Sequence, residues 1–299
     1  MSKCHIVLVT YNRSDLLKEN LLQLIKQPQE LLERIWLVNN ASQDDTIDVV
    51  EKIKSLDKRV ECICLPTNIG GAGGFSYGLK KAFQAGAEWI GLMDDDLILA
   101  PDALYELNKQ FNMHDCLAVV RQNLRGKLEE FAAIKYDLRN PFRINPKIVS
   151  VVDRYHCREN LPENLVIDCA SFEGLFIRRK VVEEVGFPNE EYFIYGDDFD
   201  YCIRIRRKGF SIYLLKNAVG VRQLPYSRSR FSSWKAYYVW RNFFILHFLY
   251  GENFFVRVKP YILYMFLRVL CHFVKMSFDP RKLIRDAILI SRKIKNKTC

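Results

Sequence analysis

Along the first hundred residues, short apolar runs alternate with longer segments whose apolar positions recur every three or four residues. "HIVLVT" (His5 to Thr10), "RIWLVNN" (ending at Asn39-Asn40), "VECICLP" and "WIGLMDDD" read as strands, each short, rich in β-branched or aromatic residues and halted by polar ones. Between them "LLKENLLQLIKQ", "DDTIDVVEKIKSL" and "FSYGLKKAFQAGA" carry helical spacing, with Ser14 or Asp15 placed to cap the first. This alternation predicts parallel βαβ units, and so an α/β fold with a mostly parallel central sheet flanked by helices. In such sheets ligands gather beyond the carboxyl ends of the strands. The residues that stop the runs, Thr10-Tyr11-Asn12, Asn39-Asn40, Asn68 and Asp94-Asp95-Asp96, all fall on that edge.

Three adjacent aspartates at a strand end repel one another. A divalent, oxygen-seeking ion such as Mg²⁺ or Mn²⁺ stabilises such a triplet. The plainer alternative is a solvated turn in which Asp95 or Asp96 caps a helix opening near Pro101. Between the third strand and third helix, "NIGGAGGFSYG" (Asn68 to Gly78) includes Gly70, Gly71, Gly73 and Gly74. A loop of this kind lets backbone N–H groups approach a pyrophosphate, with the next helix aiming its positive end at it; a flexible surface turn is the alternative. A dinucleotide fingerprint fits less well. Ser76 stands where its third glycine belongs, and the first strand ends in Thr-Tyr-Asn-Arg without glycine.

A second acidic cluster lies in "YGDDFDYCIRIRRKG". Acids at its start, bases at its end and Gly209 as a stop suit a helix opening after Gly196. Asp197 reads as a cap; Asp198 and Asp200 are less simply explained, and Asp198, in the first turn beside a cleft, could act as a general base.

The net charge of +10 conceals a division: residues 1–200 carry 24 Lys+Arg against 32 Asp+Glu, and residues 201–299 carry 21 against 3. Nine cysteines without CxxC pairs read as reduced thiols of a cytosolic protein, and the amino-terminal apolar run is too short for a signal peptide. From Tyr226 onward aromatic residues interleave with bases, and no uncharged stretch is long enough to span a bilayer. Near the end Leu283, Ala287, Ile290 and Ile294 share one helical face opposite Arg285, Arg292, Lys293 and Lys295. Two readings follow: helices lying on an anionic membrane surface, or an aromatic face packed on the preceding domain with solvated bases outside. No nucleic-acid recognition motif accompanies the charge. The expected division is a domain over 1–225 and a helical extension over 226–299.

Taken in order, "VTYNR", "VNNASQDDT", "NIGGAGG", "MDDD", "FEGLFIRR" and "YGDDFDYCIR" resemble the inverting family 2 glycosyltransferases of the GT-A fold, over Ser2 to Pro225. With the later "YYVWRN" they look most like bacterial galactofuranosyltransferases and rhamnosyltransferases of cell-surface polysaccharide synthesis. The resemblance implies a Rossmann-like GT-A sheet with Thr10, Tyr11 and Arg13 lining a nucleotide pocket and Asn39 facing the base. Asn68, Gly70, Gly71, Gly73 and Gly74 would approach the donor's diphosphate and sugar. It places a divalent cation on Asp94 and Asp96, turns Asp95 toward ribose or donor sugar, and makes Asp198, second of the Asp197-Asp198 pair, the catalytic base. Two positions depart from the family pattern. Asn39 stands where aspartate is usual, and Arg222-Gln223 stand where many members supply a metal-binding histidine, which sets Arg222 to stabilise the leaving diphosphate. The implied activity is transfer of a hexose, galactofuranose from a UDP donor or rhamnose from a dTDP donor, to a lipid-linked glycan at the cytoplasmic membrane face. A non-catalytic sugar-nucleotide-binding or scaffold protein that keeps the fold is the competing class.

Overall fold

β1 (Cys4–Thr10) is buried along all seven residues, as expected of an apolar strand covered on both faces. It pairs in parallel with β2 (Leu32–Asn39) on one side and β4 (Trp89–Asp94) on the other, and β3 (Val60–Cys64) extends the sheet beyond β2. The crossovers are α1 (Ser14–Leu24), α2 (Thr46–Leu56) and α3 (Gly70–Gln84). The computed structural model describes residues 2–224, 233–270 and 278–298.

Beyond β4 the sheet becomes mixed. β10 (Leu175–Arg178) runs antiparallel between β4 and β6 (Cys116–Asn123), and β11 (Ile212–Arg222) lies parallel to β6. β5 (Leu97–Leu99) and β9 (Asn164–Ile167) each pair antiparallel with β11. The pleat of β1 divides the core: Val7 and Val9 join one apolar cluster, Ile6 and Leu8 the other. On the second side Trp89 stacks on Phe111, just past α4 (Ala103–Gln110), with ring centroids 4.1 Å apart. A separate hairpin, β7 (Ala133–Tyr136) and β8 (Lys147–Ser150), leads into α5 (Val151–Tyr155). α6 (Arg179–Val185) and α7 (Asp197–Arg207) follow β10.

Three helices close the chain: α8 (Ser233–Tyr250), α9 (Phe254–Leu270) and α10 (Pro280–Thr298). They are packed on the α/β unit, and its first core cluster continues into Phe244, Ile245, Leu283, Ala287 and Ile294. Of the two readings of the α10 face, packing on the preceding domain holds for Leu283 and Ala287, which are fully buried in that core. Among the described residues no helix is long and apolar enough to cross a membrane. The expected boundary at 225/226 lies outside the described residues, as do Cys271 and Cys299; the seven described cysteines are free.

Two local expectations are corrected. Neither Ser14 nor Asp15 caps α1 with its side chain. The Ser14 N–H instead donates to Asp44 Oδ2 at 2.9 Å, so a carboxylate from the β2–α2 loop serves the helix start. α3 opens at Gly70, which places the glycines of the expected loop inside the first turns of a helix.

Candidate active site

The carboxyl ends of β1, β2 and β4 open side by side. β4 ends at Asp94, and Asp95-Asp96 turn the chain into β5. Buried Asn20 on α1 holds this turn, donating from Nδ2 to the carbonyls of Asp94, Asp95 and Leu97 at 3.2, 3.3 and 2.7 Å. From just past β11, the Gln223 N–H donates to the Asp96 carbonyl at 2.8 Å. Thr10 Oγ1 donates to Asp95 Oδ2 (2.8 Å) and Arg13 Nη1 to Asp95 Oδ1 (3.0 Å), with Arg13 also 3.7 Å from Asp96. The middle acid thus ties the triplet to the end of β1. None of the three caps a helix, because α4 opens at Ala103, after Asp102.

Burial, then the like charges of Glu173 and the neighbouring aspartates, push Asp94 well above the usual carboxylate range and Asp96 up to about 6. A bound cation would add to the positive charge that Arg13 brings within 4 Å of Asp95 and Asp96. Among the described residues no three His, Cys, Asp or Glu side chains converge to hold a metal ion. Two neighbouring strand-end carboxylates, Asp94 and Asp96, are of the type that holds Mg²⁺ or Mn²⁺ where a ligand's phosphate oxygens complete the coordination.

Glu173 is the site residue that sequence reasoning missed. It accepts from Arg121 Nη1 at 2.7 Å and lies 3.2 Å from Arg222 Nε, while Arg121 also pairs with Glu130 at 2.5 Å. Burial opposes its ionisation, but Arg121 and Arg222 hold its carboxyl below the usual range. It was visible only as a letter in "FEGLFIRR", since its partner Arg121 is 52 residues away.

Ahead of α7, Phe193, Tyr195 and Gly196 all have left-handed backbones (φ +63°, +65° and +82°). Such strain persists where surrounding contacts impose it, and α8 imposes it here. Asn242 Nδ2 donates to the carbonyls of Tyr192, Ile194 and Tyr195 at 2.9, 2.8 and 2.7 Å, and Arg241 Nη2 donates to those of Glu191 and Tyr192. The turn delivers Asp198 in the first turn of α7, where it accepts the Phe199 N–H and burial lifts it to about 6. Asp197 is raised well above the usual range by burial and the charge of Asp198. Asp200 has a structural use: it is fully buried and accepts from Tyr192, Tyr250 and Arg204.

A cavity of about 320 Å³ gathers Arg13, Asp96, Glu173, Asp198 and Arg222 in one lining, to which Lys147 and Phe131 also contribute. Other expected residues have uses within the fold. Asn39 Oδ1 accepts the Ser42 N–H (2.9 Å), and Asn68 Oδ1 accepts from Gly70 N and Asn40 Nδ2. A Cβ at Gly70 would lie 2.0 Å from the Phe193 carbonyl oxygen, and one at Gly74 would lie 2.7 Å from Val9. Close packing therefore accounts for Gly70 and Gly74, and the expected loop is instead a tightly seated helix start. Gly71 alone of the four faces open space, while Gly73 lines a different cavity, of about 510 Å³, that contains none of the candidate aspartates. Tyr11 is 43% exposed.

The family model described as glycosyl transferase family 2 matches residues 5–186, more than half of the chain. The chain belongs to glycosyl transferase family 2. Within the family it is 26% identical over 203 residues to galactofuranosyltransferase GlfT1 of Mycolicibacterium smegmatis, covering 68% of this chain and 65% of that one. It is 25% identical over 216 residues to the dTDP-rhamnosyl transferase RfbF of Shigella flexneri, covering 72% of this chain and 67% of the relative. Among solved structures, GalNAc-T7 crystallised with UDP, GalNAc and Mn²⁺ superposes with a TM-score of 0.67 at 14% identity, covering 96% of this chain and 54% of that one. The last likeness speaks to the fold, which is that of the GT-A glycosyltransferases.

Proposed function

We propose that this chain is a metal-dependent, inverting hexosyltransferase that moves galactofuranose from UDP-galactofuranose to a lipid-linked glycan, working at the cytoplasmic membrane face. One observation carries the reading: Asp96, Arg13 and Arg222 share a cavity of about 320 Å³ with Asp198, so a donor-side cluster and a candidate base open onto one space. At a pKa of about 6, Asp198 is ionised at neutral pH yet basic enough to accept a proton from an acceptor hydroxyl. Attack from the face opposite the leaving nucleoside diphosphate inverts the anomeric carbon. Arg222 and Arg13 bring positive charge to the side where the diphosphate leaves. Asp94 and Asp96 would hold Mn²⁺ or Mg²⁺, which when bound supplies further positive charge to the departing phosphates. Thr10, Tyr11 and Asn39 border the strand ends where the nucleotide would lie, and the open side of Gly71 is where α3 offers its N-terminus to the donor.

The likeness to GlfT1 supports galactofuranose as the first donor to try, and the similar coverage by RfbF supports dTDP-rhamnose as the second. Purified protein supplied with each donor, Mn²⁺ and lipid-linked acceptor, with products weighed by mass spectrometry, tests both. Transfer should depend on Mn²⁺ and fall by at least about a hundredfold in Asp198→Asn while donor binding persists. Unchanged transfer by an Asp94→Asn/Asp96→Asn double variant in chelator would end the reading.

A further inference from the structure

α9 carries apolar residues on two opposite sides, and only one of those sides is covered. Val256, Pro260 and Leu267 are buried against the protein. Phe254, Phe255, Ile262, Met265, Phe266 and Val269 are 56–72% exposed. At 3.6 residues per turn, those six fall within an arc of about 120° on the opposite side. A continuous apolar face of this kind on a folded surface marks an interaction site.

A second segment extends it. Lys259 Nζ donates to the carbonyls of Asn140 and Arg143, and Asn253 Nδ2 to that of Arg139, which seats the β7–β8 loop along the flank of α9 that carries Phe255 and Ile262. That loop exposes Phe142 (93%) and Ile144 (61%).

Both edges of the face carry bases. Arg257 and Arg268 border the arc on one side, and Arg139 and Arg143 sit on the loop at the other. Residues 201–299 as a whole carry 21 Lys+Arg against 3 Asp+Glu. Aromatic and aliphatic side chains ringed by arginine suit the headgroup region of an anionic bilayer, where rings embed at the acyl boundary and cations meet lipid phosphates.

We infer that α9 and the β7–β8 loop form the docking face for an anionic lipid bilayer. This deepens the membrane-side reading of the proposed function and moves it off α10, whose apolar face is buried in the core. It also links surface to site, because the hairpin that carries Phe142 and Ile144 contributes Lys147 to the cavity containing Asp198. A lipid-borne acceptor would meet the enzyme beside the base.

Co-sedimentation of the purified chain with phosphatidylglycerol/phosphatidylcholine vesicles, without donor or acceptor, reads docking separately from catalysis. Binding to these vesicles should exceed binding to pure phosphatidylcholine at least tenfold and weaken as salt rises. Phe255→Asp/Phe266→Asp should lower it at least tenfold. Phe142→Asp, on a loop where folding is not at stake, should lower it several-fold. Equal binding to both vesicle types, or undiminished binding by these variants, would overturn the assignment. So would a concentration-dependent dimer, seen in sedimentation velocity, that the α9 variant abolishes while the wild-type chain ignores vesicles. Vesicle binding without sugar transfer would leave this face standing and remove only the catalytic reading.

Discussion

Asp198 and Glu173 are two carboxyls whose environments push them in opposite directions. Asp198 sits near 6 through burial, against an ordinary aspartate value of about 3.9. Its folded pKa is raised, so the folded chain holds that proton more tightly than the unfolded one. The stabilisation is present at acid pH and is lost as pH climbs from about 4 through 6. Asp198→Asn keeps an acceptor for the Phe199 N–H and removes the ionisation. It should abolish transfer yet raise unfolding stability at pH 7.5 by about 1–2 kcal/mol, read by chemical denaturation. Wild-type turnover should fall below about pH 6 as the base becomes protonated. Glu173 tests the coupling between the two groups, since its charge helps raise Asp198 and Asp96. In Glu173→Gln the acid limb of the pH–rate profile should move to lower pH. The variant should also lose about 1–3 kcal/mol, because Arg121 and Arg222 give up a buried charged acceptor. A limb that stays in place would mean that burial alone sets Asp198.

Among the elements, those whose signals are local were legible in the sequence. The four opening strands, the helix after Gly196 and its stop at Gly209 follow from runs of five to a dozen residues, and the structure places them there. α3 was placed too late because its glycines suggest a loop; tight packing on Val9 and on the Phe193 carbonyl, which no local pattern encodes, lets them sit in a helix. The mixed half of the sheet was not legible, because β10 enters between β4 and β6 from far along the chain. Least visible of all was the bracing of the base turn by α8, since Asn242 and the carbonyls it serves lie 47 to 50 residues apart. That bracing makes a prediction about shape. Asn242→Ala removes the amide donor shared by three carbonyls, of which that of Tyr192 keeps Arg241, and lets the left-handed residues at 193 and 195 relax. Turnover should drop about ten- to hundredfold with little change in donor KM, since a displacement near 1 Å at the base costs on that order. Asn242→Asp should be worse than alanine, because an acceptor-only carboxylate would face three carbonyl oxygens. Steady-state kinetics with a thermal melt separate this positioning role from simple unfolding: a variant that melts like wild type yet turns over slowly supports it.

At the scale of the whole molecule, charge and aromatic content divide the chain near residue 225, but the packing does not. One apolar cluster runs from Val7 of β1 through Phe172 and Tyr201 to Phe244, Leu267 and Ile284 in the closing helices. Polar contacts cross the same seam: Tyr250 donates to Asp200 at 2.6 Å, Arg207 donates to the Tyr250 carbonyl, and Lys293 lies 2.7 Å from Glu191. A chain ended at 225 would uncover the surface on which Phe244, Ile245, Leu246 and Tyr250 are packed and strip Asp200 of a buried donor. At about 1.5–3 kcal/mol for each large apolar side chain buried, the four alone are comparable with the 5–15 kcal/mol that holds a typical domain folded. The base turn would also lose Arg241 and Asn242. Residues 1–225 expressed alone should therefore show strand and helix by far-UV circular dichroism, lack a cooperative melt, bind a hydrophobic dye and transfer no sugar. Cooperative unfolding of that fragment near the full chain's midpoint would restore the two-domain division that the composition suggests.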